Sequence, residues 1–143
     1  MKESKEDETR NCRTGGHIIR VIMTWRVATH PDAEAELDAV PPADRVALIN
    51  AIEKLKVYGD RLGTPHSSSI RGVEETLREL RPRSGRSRWR AFYRRVGDGF
   101  VIAAIGPEAA VDPAGFRRAV SRALSRLDAR RADAQGGSAN EPR

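Results

Sequence analysis

Arginine is the residue this chain concentrates where chemistry could occur. The run Arg88-Trp89-Arg90-Ala91-Phe92-Tyr93-Arg94 alternates cationic with apolar side chains. A strand sends successive side chains to opposite faces, so Trp89, Ala91 and Tyr93 share one face while Arg88, Arg90 and Arg94 share the other. The first face can pack; the second is expected to meet water or an anion, and planar guanidinium forks suit phosphate. Trp89 and Tyr93, at strand spacing, fit a core better than a base-stacking platform. His66 lies in the polar segment DRLGTPHSSSIRG (60–72). It is either a general acid or base or simply a solvated loop histidine.

Other chemistries find no residues to carry them. The single Cys12 sits in a polar stretch and reads as incidental, and three scattered histidines give no zinc-ligand spacing, so no metal or cofactor is expected. Arg83-Ser84-Gly85 and Gly97-Asp98-Gly99 are hairpin punctuation rather than phosphate cradles, because no helix follows either one.

The arginine strand must be held by its neighbours. Leu77 to Ile105 reads as three strands, with Pro82 to Arg86 and Gly97-Asp98-Gly99 as the turns between them. Phe100 to Ile105 is apolar on both faces and predicts a central strand. Earlier in the chain, Trp25 and Val27 mark one face of a first strand that starts at Met23 or nearer Ile18. Thr29 followed by Pro31 and Asp32 predicts a capped short helix ending by Val40. A longer helix from about Pro42 to Tyr58 stacks Leu48, Ile52 and Leu55 on one stripe, with Val46 and Ile49 beside it, and stops at Gly59. Asp112-Pro113 opens a last helix with Phe116, Val120, Ala123, Leu124 and Leu127 on one side and Arg117, Arg118, Arg122 and Arg126 largely away from it. The order predicts an α+β fold, β-α-α-β-β-β-α, with a small, mainly antiparallel sheet covered by a helical hairpin and a C-terminal helix. Residues 1–22 read as a disordered or mis-annotated extension, 23–131 as the domain, and 132–143 as a flexible tail.

Charge is distributed unevenly. The formal net charge is +6 over 143 residues, yet residues 23–70 carry five Lys/Arg against seven Asp/Glu while 71–131 carry fifteen Arg against seven acids. The C-terminal half therefore favours a polyanionic partner, either nucleic acid or an acidic protein segment; a solvated arginine-rich surface is the plain alternative. No run of 18 or more apolar residues occurs, so no membrane association is expected and the protein reads as cytoplasmic.

Taken together, Trp25-Arg26-Val27, a helical hairpin closing in Gly59, Leu62-Gly63-x-Pro65-His66, Glu79-Leu80-Arg81 and Trp89-Arg90-Ala91-Phe92-Tyr93 resemble the RelE/ParE toxin superfamily, within it the phage-derived HigB-like branch. The likeness covers about residues 23–127. It implies the toxin of a type II toxin–antitoxin pair: a metal-independent endoribonuclease that cuts mRNA on the ribosome, blocks translation, and is neutralised by a cognate antitoxin, a small helix-turn-helix protein. Two alternatives share the fold, a non-catalytic RNA- or antitoxin-binding module and a ParE-like gyrase inhibitor. By this resemblance Arg90 falls on the phosphate-facing strand, Arg81 belongs to the ELR element and is either catalytic or structural, and Tyr93 is the last aromatic of its strand. With His66 these form the expected catalytic set, while Arg88, Arg94, Arg118 and Arg122 are the expected RNA-binding cations. The chain departs from the pattern at Glu108 and Glu79, where relatives can carry lysine.

Overall fold

The computed structural model describes residues 24–72 and 76–140, with side chains described as far as residue 130. The expected extension, residues 1–22, lies outside the described residues. Strand β1 (Arg26–Thr29) leads into helices α1 (Pro31–Ala39) and α2 (Pro42–Tyr58) and a 3-10 turn (Gly59–Arg61). Strands β2 (Ser67–Ser69) and β3 (Arg78–Leu80), a second 3-10 turn (Pro82–Gly85), strands β4 (Trp89–Val96) and β5 (Gly99–Pro107), and helix α3 (Pro113–Asn140) complete the chain. The α+β architecture matches the expected one, with two additions. A fifth strand, β2, forms inside the stretch read as loop, and α3 continues past residue 131 to Asn140.

The sheet order is β1-β5-β4-β3-β2, parallel only between β1 and β5. β5 lies between β1 and β4 and is buried along nearly its whole length, as an apolar strand without alternation requires. On one face α1 and α2 cover Trp89, Ala91, Tyr93, Phe100, Ile102 and Ile105 with Leu48, Ile52 and Leu55. On the other, α3 covers Phe92, Val101, Ala103 and Ala104 with Ala119, Val120, Ala123 and Leu127. The expected alternation of β4 therefore holds, but only Arg88 of the arginine face meets water: α3 packs over Phe92 on that face, and Arg90 and Arg94 are 2% and 8% exposed.

Local signals explain most boundaries. His30, not the expected Thr29, caps α1: its Nδ1 accepts the Asp32 N–H at 3.1 Å. Pro41-Pro42 separates the two helices, and Gly59, at φ 54°, ends α2 in a backbone conformation that glycine tolerates. A side chain there would also run into the Trp25 ring. Asp112 caps α3 through the Gly115 N–H at 2.9 Å. Val46 and Ile49, expected beside the buried stripe of α2, are 57% and 40% exposed.

Candidate functional site

Arg90 stands at the centre of the arginine strand, and its buried guanidinium is directed at groups of the fold, with Nε left without a hydrogen bond among the described residues. Nη1 donates to the Ser87 carbonyl at 2.6 Å and the Trp89 carbonyl at 3.0 Å. Nη2 donates to Glu108 Oε2 at 3.1 Å, and Nε faces Glu79 Oε1 at 3.3 Å. Burial pushes the Arg90 pKa down, Glu108 and Glu79 oppose that, and the neighbouring Arg81 charge adds to it. A guanidinium keeps its proton through such shifts. Glu79 and Glu108, the two acids set against an expectation of lysine, are therefore the two that neutralise Arg90. Arg90, expected to face phosphate, directs its donors at carboxylates and backbone carbonyls.

Tyr93 is likewise built into the fold. It is 1% exposed, with its hydroxyl 2.5 Å from Ser67 Oγ and accepting from Arg78 Nε at 3.3 Å. That ties β4 to β2 and β3 and leaves the phenol no route to a substrate. Arg94 donates through Nε to the Thr76 carbonyl at 2.8 Å from its buried position, so it too lies away from the surface expected to bind RNA.

Two surfaces hold the remaining candidates. The first is an open cavity of about 440 Å³ between α2 and the turn after β3. His66 and Arg81, both half-buried, line it with Lys54 and Arg83, over a floor that includes Ala51, Leu62 and Leu80. The Arg81 N–H donates to the His66 carbonyl at 2.8 Å, extending the β2–β3 ladder by one pair and fixing the two residues side by side. Arg81 Nε is buried without a hydrogen-bond partner among the described residues. Lys54 and Arg83 were not singled out from sequence. The signal for Lys54 was available, because Val46, Asn50 and Lys54 repeat at helical spacing on one side of α2.

The second surface is a groove of about 470 Å³ beside β5 and the start of α3. It brings Arg88, Arg118 and Arg122 together, with Glu36, Trp89 and Val40. Arg88 and Arg118 are exposed. Arg122, expected to bind RNA, is instead committed within the fold. Its Nε donates to Glu36 Oε2 at 3.1 Å and its Nη2 to the Ile105 carbonyl at 3.1 Å. Beside it Arg126 donates to both Glu36 oxygens and to the Ala103 carbonyl, while the Ile105 N–H donates to Glu36 Oε1 at 3.0 Å. β1 pairs with β5 only as far as Ile102, so these side chains satisfy the backbone edge that β1 leaves open. Burial would raise the Glu36 pKa, but hydrogen bonds from Arg126 and Ile105 and the charges of Arg122 and Arg126 outweigh it and hold the carboxyl below its usual range.

The architecture is that of a small α+β domain: a five-stranded sheet with a helical hairpin on one face and a C-terminal helix on the other, carrying two basic surfaces. Residues 35–105 match the family model described as phage-derived protein Gp49-like. Among solved structures, the chain is similar to the archaeal RelE-RelB complex from Pyrococcus horikoshii OT3, at 20% identity over 59% of this chain and 96% of that one, with a TM-score of 0.46. No curated protein matches. No helix among the described residues is long and apolar enough to cross a membrane.

Proposed function

We propose that this protein is the toxin of a type II toxin–antitoxin pair, a cytoplasmic, ribosome-associated endoribonuclease that cuts mRNA, with His66 and Arg81 at its working site. The observation that carries this reading is their shared cavity, which Lys54 of α2 and Arg83 of the turn after β3 also line. Cleavage needs no metal. The ribose 2′-hydroxyl attacks the adjacent phosphorus, a base takes the hydroxyl proton, cations offset the added charge on the phosphorane, and an acid protonates the 5′ oxygen as its bond to phosphorus breaks. An imidazole can take and return a proton at neutral pH. Arg81, Arg83 and Lys54 supply the positive charge, and the exposed Arg88 and Arg118 extend a path for the RNA backbone. The cognate antitoxin is a small protein, with a helix-turn-helix part, that lays an acidic segment on these basic surfaces.

A second reading, a non-catalytic binding module of the same fold, draws support from the confinement of Arg90 between Glu79 and Glu108. Induced expression in a bacterial host distinguishes the two. The expected result is growth arrest with mRNA cut within translated codons, and loss of both by about 10²-fold or more in His66→Ala and Arg81→Ala proteins that still fold. Arrest without cut mRNA but with altered DNA supercoiling favours gyrase as the target. No arrest with any form favours the binding module.

A further inference from the structure

We propose that Glu108 is a built-in anionic cap: its carboxylate occupies the place on Arg90 that a phosphate oxygen of RNA would take, and so limits how tightly this face of the sheet binds a phosphodiester backbone. The proposal rests on the reading above that the protein acts on RNA, and it explains how a chain of this fold can carry arginine on its central hairpin and still offer no free guanidinium there.

The donor count supports it. Of the five N–H groups of the Arg90 guanidinium, both on Nη1 are held by backbone carbonyls of its own strand entry, Ser87 and Trp89. The Nη2 and Nε edge is left for an anion: one Nη2 N–H donates to Glu108 Oε2 at 3.1 Å, and Nε pairs in charge with Glu79 Oε1 at 3.3 Å without a hydrogen bond. Each glutamate places one oxygen on that edge, so a phosphate oxygen could take the Nη2 position only by displacing Glu108.

The two glutamates are not equivalent. Glu79 lies inside β3, paired across both ladders, and also accepts from Ser68 Oγ at 3.2 Å. Glu108 lies one residue beyond the end of β5, its backbone N–H still donating to the Arg88 carbonyl at 2.8 Å. The two side chains are similarly exposed, Glu108 at 22% and Glu79 at 18%, but the Glu108 carboxylate has no second side-chain donor among the described residues to match Ser68. Glu108 is therefore the displaceable partner and Glu79 the fixed one. Charge favours the same assignment. Arg81 and Arg90 sit close enough for their charges to repel, and the two carboxylates cancel them. Removing the Glu108 charge leaves the group net positive at the edge of the sheet.

The test is binding of a labelled single-stranded RNA oligonucleotide by the full chain at low salt, followed by fluorescence anisotropy, with Glu108→Gln compared with Glu53→Gln. Glu53 is an exposed helix residue paired with Lys56, so its change makes the same alteration in net charge at a neutral place. Glu108→Gln is expected to tighten binding about tenfold, and Glu53→Gln less than about twofold. The gain should vanish in Glu108→Gln/Arg90→Met, with circular dichroism confirming that each protein is folded. Equal affinities for the two glutamine variants, a gain that survives loss of Arg90, or no RNA binding by any form would overturn the proposal. Since the readout is binding rather than cleavage, a protein that binds RNA in this pattern but arrests no growth keeps the cap and loses the nuclease reading.

Discussion

Replacing Arg90 by alanine removes one charge and leaves two others without their partner. Glu79 and Glu108 keep about a fifth of their exposure, so the cost falls near the lower end for a broken buried ion pair, about 3 kcal/mol. Urea unfolding should show this as a lower midpoint at unchanged slope, and adding Glu79→Gln and Glu108→Gln should recover much of the loss. An unchanged midpoint in Arg90→Ala would show that these pairs do not hold the hairpin. Tyr93→Phe is a milder case, because Arg78 Nε still donates to Ser67 Oγ at 2.9 Å once the hydroxyl is gone. It should cost about 1 kcal/mol in the same unfolding experiment and leave growth arrest intact; loss of arrest at full stability would return Tyr93 to the working site. These two residues also show what the sequence could reveal about the site. Alternation along the strand correctly put Tyr93 in the core, but it could not show that α3 would cover the opposite face. Nor could it show that Glu108, in a turn 18 residues on, would reach back to Arg90. His66 and Arg81 were legible as chemistry-bearing types, whereas their shared cavity depends on a β2–β3 pairing that three serines do not announce.

At the scale of elements, one carboxylate joins three pieces of the fold. Glu36 on α1 receives Arg122 and Arg126 from α3 and the Ile105 N–H from β5, contacts that span 69 to 90 residues of sequence. No local pattern predicts such a latch; the helices themselves were legible because caps, prolines and apolar stripes are local. Since the Glu36 carboxyl is held below its usual range, it contributes stability that is fully present above the unfolded value of about 4.3 and is lost as pH falls through its own lower value. Glu36→Gln should lower the melting temperature near neutral pH and flatten its decline below about pH 4, as followed by circular dichroism. A parallel decline in both proteins would mean that other carboxyls govern the acid limb. Gly106 offers a second test of how α3 is seated. The expected strand ended at Ile105, but Gly106 lies within β5, where an added Cβ would stand 2.4 Å from Ala119 Cβ. A glycine inside a strand marks such a close approach of another backbone. Gly106→Ala should therefore cost about 1–3 kcal/mol by pushing α3 outward, and pairing it with Ala119→Gly should restore part of that.

For the whole molecule, the uneven charge read from sequence overstates what a partner meets. Arg90, Arg122 and Arg126 are paired with carboxylates inside the fold, and Arg95 is paired with Asp60 at its surface. Lys54, Arg81, Arg83, Arg88 and Arg118 have no carboxylate partner among the described residues, and they line the two basic surfaces. Attraction of a polyanion should then come from these five rather than from the total. If each displaces a counterion from single-stranded RNA, the logarithm of the binding constant should fall against the logarithm of salt with a slope of roughly −3.5, since each phosphate contact contributes about −0.7. Arg88→Ala or Arg118→Ala should each make that slope shallower by about 0.7 and weaken binding similarly for unrelated RNA sequences. Arg126→Ala, which removes as much formal charge, should leave the slope nearly unchanged while lowering stability. The acidic antitoxin segment should show the same salt sensitivity, because a Debye length of about 10 Å at 0.1 M screens exposed charges well before it reaches buried ones. Affinity for RNA or antitoxin that stays constant from low to molar salt would show that apolar contacts, with Val46 and Ile49 on α2 the exposed candidates, carry the association instead.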